Sequence, residues 1–193
     1  MNDFAFYFEL GWKHIISLDA LDHQLFILVL TAIYFLENKK QLLILVTAFT
    51  IGHSLTLALS VYNIISFSSG WAEFLIPFTI CITALYNLIN INKQPHYSFH
   101  YMMALFFGLV HGLGFANTLR FMLAKSQQIT LPLLSFNLGL EAGQILLVIF
   151  ILLLNFICIN RLMLNRKYWI WSLSSLSLII AGYLCFKHYP TST

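Results

Sequence analysis

Histidine, aspartate and glutamate are scarce in this chain of 193 residues, where charged side chains make up only 9%. They are also grouped. His14, Asp19, Asp22 and His23 lie within one stretch, G-W-K-H-I-I-S-L-D-A-L-D-H-Q-L-F (11–26), which leads into an apolar run. His53, His111 and Glu141 stand far apart in the chain, each deep in a later hydrophobic segment. Imidazole nitrogens and carboxylate oxygens are the donors a divalent transition metal takes, at roughly 2 Å each. The pattern predicts one metal site inside a membrane, with His14, Asp19, Asp22 and His23 on one side and His53, His111 and Glu141 on the other. Asp19 precedes His23 by one helical turn, so its carboxylate is either a ligand or the partner that fixes the imidazole tautomer. Cys81, Cys158 and Cys185 are isolated in apolar runs and form neither a thiolate site nor a disulfide framework. With no Cys or Met ladder, the donor set fits Ni, Co or Zn rather than Cu(I).

The elements that position these groups follow from composition. Sixty per cent of the residues are apolar (60%) and the mean hydropathy is +0.82. Soluble domains carry roughly 25% charged residues. The chain therefore reads as all-α, a polytopic membrane helix bundle forming a single integral domain over 1–193. Six transmembrane helices are expected at about 21–36, 41–61, 73–91, 99–123, 131–159 and 168–186, since a span needs about 20 apolar residues. Residues 3–17 are aromatic and amphipathic, suited to a short helix at the interface or tucked against the bundle mouth. Acids stand where a signal peptide needs a basic segment, so no cleaved leader is expected. Positive charges are scattered without a basic strip, which excludes nucleic acid as a partner and leaves a metal ion and the bilayer. No internal repeat is visible.

Lys39, Lys40, Lys93, Arg161, Arg166 and Lys167 fall on one side; Lys13, Arg120, Lys125 and Lys187 fall on the other. The positive-inside rule puts the larger group in the cytoplasm and both termini outside. His53, His111 and Glu141 all lie near mid-span, where an ionisable group costs about 3 kcal/mol to insert and so faces a bundle interior. Thr47, Thr50, His53 and Thr56 form a polar stripe, as do Asn137, Glu141 and Gln144. Glycines spaced by four, Gly108/Gly112 and Gly139/Gly143, let helices approach closely beside these groups. Glu73, His96, His100 and His188 sit at span ends, where an ordinary surface role is expected.

Four blocks, namely the 11–26 stretch, T-A-F-T-I-G-H-S-L-T-L-A-L, F-F-G-L-V-H-G-L-G-F-A and F-N-L-G-L-E-A-G-Q, together resemble the HupE/UreJ family of small bacterial membrane proteins. The resemblance covers roughly 9–160, with the blocks in the family's order. It implies an inner-membrane permease supplying nickel or cobalt, with His14, Asp22, His23, His53, His111 and Glu141 as metal-binding residues. Asp19-Ala20 departs from the family pattern, where an Asn or Gly approaches the Asp-His pair. The rival reading is an intramembrane zinc-dependent metallohydrolase. There the same residues hold a fixed metal, with Asp19, Asp22 or Glu141 as base and Ser54 as a polar participant. The plainest alternative is a scaffold whose buried polar groups only fix helix packing.

Overall fold

The computed structural model describes residues 3–93, 95–123 and 129–190, and every regular element among them is helical. The elements are α1 (Asp3–Ile16), α2 (Leu21–Thr31), α3 (Lys39–Val61), α4 (Ser69–Ile89), α5 (Tyr97–Leu123), α6 (Thr130–Phe156) and α7 (Arg166–Lys187). Five, counted from α3 to α7, are long and apolar enough to cross a membrane; α1 and α2 together make a sixth, bent by 56°. Lys125 and its loop lie outside the described residues.

The first crossing differs in detail from the expected run at 21–36, because α2 ends at Thr31 after 11 residues. At about 1.5 Å per residue it is too short to span alone. α1 supplies the remainder, tucked along α6 rather than lying free at the interface. Between them, Ser17 is extended (φ −68, ψ 154) and Leu18–Ala20 form a single 3-10 turn. A helix end leaves its last carbonyls without partners. The Gln24 amide takes one of them, donating to the Ile15 carbonyl at 3.1 Å, and also donates to the Ser17 carbonyl just beyond the helix at 2.8 Å. The break is thus a built joint, with Lys13 and His14 closing α1 and Asp22 in the first turn of α2.

Two helix pairs form the heart of the bundle, α1 on α6 and α3 on α5. Both are held by glycines that leave no room for a methyl group. A Cβ on Gly11 would collide with the Phe136 carbonyl, and one on Gly139 with the Phe8 carbonyl. Likewise a Cβ on Gly52 would strike the Leu105 carbonyl, and one on Gly108 the Phe49 carbonyl. In all four cases the obstructing carbonyl belongs to the residue three before the opposing glycine. The registers coincide, with α1 matching α5 and α6 matching α3. The sequences then align as well: G-W-K-H (11–14) on G-L-V-H (108–111), and F-T-I-G (49–52) on F-N-L-G (136–139).

In each pair the contacts advance together: Gly139 meets Phe8 and Trp12, while Gly143 meets Trp12 and Ile15. Partners within a pair are therefore parallel, whereas consecutive spans such as α5 and α6 run in opposite directions. The second pair is the first turned over. The third long helices of the two halves, α4 and α7, pack on each other, with Glu73 near His188 (3.0 Å) and Asn87 near Ser174 (3.4 Å). The fold is an inverted repeat of two three-span halves. Such repeats place their sites where the halves meet.

Candidate metal centre

Four imidazoles from four helices meet beside the α1–α2 joint. His14 comes from the last turn of α1, His23 from the first turn of α2, His53 from α3 and His111 from α5. Ring centroids lie 4.6 Å apart for His14–His23, 5.1 Å for His23–His111, and 6.0 Å for both His14–His53 and His23–His53. Two imidazoles bound to one tetrahedral ion would have centroids roughly 5 Å apart, given about 2.1 Å to each nitrogen. The rings are at coordination spacing. Their nitrogens are not yet at coordination geometry, since among the described residues no three His, Cys, Asp or Glu groups stand ready to hold an ion.

Hydrogen bonding sets the tautomers. Asp22 Oδ1 accepts from His23 Nδ1 at 2.9 Å and from the His23 backbone N–H at 2.8 Å. The lone pair of His23 is therefore on Nε2, which is buried and has no partner. Thr79 has one hydroxyl proton and donates it to the Ile76 carbonyl at 2.7 Å. Its contact with His111 Nε2, at 3.0 Å, must then be one in which Nε2–H donates. That leaves the lone pair of His111 on Nδ1, also buried without a partner. His14 Nε2 and both nitrogens of His53 are in the same condition. Five orphaned ring nitrogens in one cluster contradict the rule that buried polar atoms are paired; a cation would satisfy four of them, one from each ring, since one nitrogen of a neutral His53 carries a hydrogen. The residues fit a transition metal.

The carboxylates are placed differently from one another. Asp22 touches an imidazole and takes the tautomer-fixing role that the sequence left open for Asp19. Asp19 is exposed on the intervening turn and lines a 320 Å³ cavity with His14, Asp22, His23, Glu73 and His188. Glu141 accepts from Thr47 at 3.1 Å, six residues or about 9 Å of helix rise before His53. It continues the polar seam between α3 and α6, where Thr50 donates to Gln144 at 2.7 Å. Thr79 was not anticipated, because nothing in an apolar helix distinguishes it from the back-bonding Thr83.

Aromatic rings close the cluster on both sides. Phe26 and Phe49, centroids 4.9 Å apart, lie 4.7 and 5.1 Å from His111. Phe115 and Phe136 are stacked at 5.1 Å, with His14 4.3 Å from Phe115 and 5.7 Å from Phe136. Phe49 and Phe136 are equivalent in the inverted repeat, as are His111 and His14. The cavity at the Glu73–His188 end reaches His14 and His23 past Phe115.

The sequence model of a family described as HupE / UreJ protein matches residues 1–187. No curated protein matches, and no solved structure does.

Proposed function

This chain belongs to the HupE/UreJ family, and on that premise we propose that it carries a divalent transition metal, nickel or cobalt, across the bacterial inner membrane. The observation that carries this reading is the convergence of His14, His23, His53 and His111 with unpartnered nitrogens. Asp22 and Asp19 stand in the entry cavity, whose mouth faces the outside together with both termini. An arriving cation first meets the carboxylate field and then exchanges its water for imidazoles. Nitrogen and oxygen donors hold such ions less tenaciously than thiolates, which suits a cargo that must be released.

The inverted repeat suggests how release occurs. Rocking α1/α6 against α3/α5, with α2 carried along, would separate the Phe26/Phe49 contact while the Phe115/Phe136 stack stays closed. The cation would then leave along the Thr50–Gln144 and Thr47–Glu141 seam, with Glu141 supplying the second negative charge of a neutral path. The metallohydrolase reading predicts a metal that does not leave.

Uptake of nickel, cobalt and zinc into sealed proteoliposomes separates the two. Saturable uptake of nickel or cobalt is expected, with metal that dialyses away from the purified protein. Stoichiometric metal that resists dialysis, with no uptake, would reject transport. Asp22→Asn should weaken metal binding by roughly ten- to hundredfold, the usual cost of losing such a partner. It keeps an acceptor for His23 Nδ1–H, so the loss reports the missing charge. Thr79→Val should have a smaller effect and Thr79→Ser should restore it, because only the acceptor that fixes the His111 tautomer is at stake.

A further inference from the structure

At the other end of the bundle a cavity of about 670 Å³ opens between the α2–α3 turn, the α4–α5 turn and the start of α7. The proposed metal route does not use it. Lys93, Arg166 and Lys167 line it against one acid, Glu37, which lies 3.5 Å from Arg166. The guanidinium of Arg166 sits 4.3 Å over the Phe35 ring, so this cation is held in place. Three positive groups against one negative repel a divalent cation and attract an anion.

His100 also lines this cavity. Far from an ordinary surface residue, it is only 3% exposed. Its Nδ1 is 2.9 Å from the hydroxyl of Tyr34, which is itself fully buried and has no other hydrogen bond among the described residues. Burial, then the neighbouring phenols of Tyr101, Tyr97 and Tyr86, hold the Tyr34 hydroxyl protonated well above the usual phenol range. With no other acceptor for it among the described residues, the hydroxyl proton is donated to Nδ1, and the ring proton of His100 resides on Nε2. That buried N–H has no acceptor among the described residues.

We propose that this cavity binds a phosphate-bearing anion, either the headgroup of an acidic lipid or a soluble phosphate, between Lys93, Arg166, Lys167 and the Nε2–H of His100. A phosphate group offers several acceptors and asks for no donor, which matches a lining of cations and an orphaned N–H. Basic pockets between span ends on the cytoplasmic side take such headgroups.

The test uses the full chain in neutral detergent, with binding followed by native mass spectrometry and thermal melting. The probes are phosphatidylglycerol, phosphatidylcholine and inorganic phosphate. Lys93→Gln/Lys167→Gln removes two exposed cations without touching the Arg166–Phe35 contact. Lys39→Gln/Lys40→Gln removes two cations that lie outside the cavity. Wild type should bind phosphatidylglycerol or inorganic phosphate in preference to phosphatidylcholine, and whichever binds names the source. Binding should weaken by about 25-fold in the Lys93/Lys167 variant, near fivefold per cation, and hardly at all in the Lys39/Lys40 variant. No preference for either anion, or equal losses in the two variants, would overturn the site and leave only diffuse surface charge.

Discussion

His53→Leu should abolish metal binding and uptake while leaving the metal-free protein at least as stable as the wild type. His53 is 0% exposed, and neither ring nitrogen has a partner. A buried polar group without a hydrogen bond costs about 1–3 kcal/mol. Leucine fills nearly the same space without that cost, and its neighbours include the rings of Phe49, His14 and His23. A structural histidine behaves in the opposite way, because its removal strands a donor or acceptor elsewhere. Here nothing is stranded. Binding should fall by more than about a hundredfold, beyond what losing an outer partner costs. Nickel titration calorimetry and thermal melting of the empty protein measure the two halves of the expectation. Undiminished uptake, or a large fall in melting temperature without metal, would show that His53 is a packing residue.

Much of this site could be read from the sequence, and the reason is energetic. An imidazole or carboxylate in a hydrophobic run is costly unless it converges with others, so His53 and His111 stood out by depth alone. Geometry was harder to read. The α1–α2 joint has neither Gly nor Pro, and the apolar run from Leu25 to Leu36 continues past the end of α2, so hydropathy put the first span too late. Glu141 shares a face with Asn137 and Gln144 but is tied to Thr47, because α6 meets α3 a turn and a half short of His53. The repeat escaped notice because its matched positions are few and unevenly separated. Gly11 and Gly108 are 97 residues apart, while Gly52 and Gly139 are 87 apart. Only the packing reveals that they do the same job.

That equivalence has a large consequence. Gly52→Ala and Gly139→Ala should each destabilise the protein severely and to similar degrees, with loss of uptake in both. The added methyl would meet a backbone carbonyl in each case, that of Leu105 or of Phe8, and no side-chain rotation can move it away. Alanine is the better helix former by about 0.8–1.0 kcal/mol, so a glycine without a packing role should gain stability on substitution. Gly182, with nothing within 4 Å of its would-be Cβ, is that control. For Gly52 and Gly139 the helices must separate. Overpacking typically costs about 1–3 kcal/mol and occasionally more, and a backbone obstacle puts these two at the upper end. Separation of α3 from α5 displaces His53 relative to His111, and separation of α1 from α6 displaces His14 relative to both. Metal binding should therefore fail in either variant even at temperatures where the bundle survives. Melting curves and uptake for the three alanine variants decide the matter. A Gly139→Ala protein as active as the Gly182→Ala control would mean that α1/α6 is no counterpart of α3/α5, and rocking of two matched helix pairs would lose its structural basis.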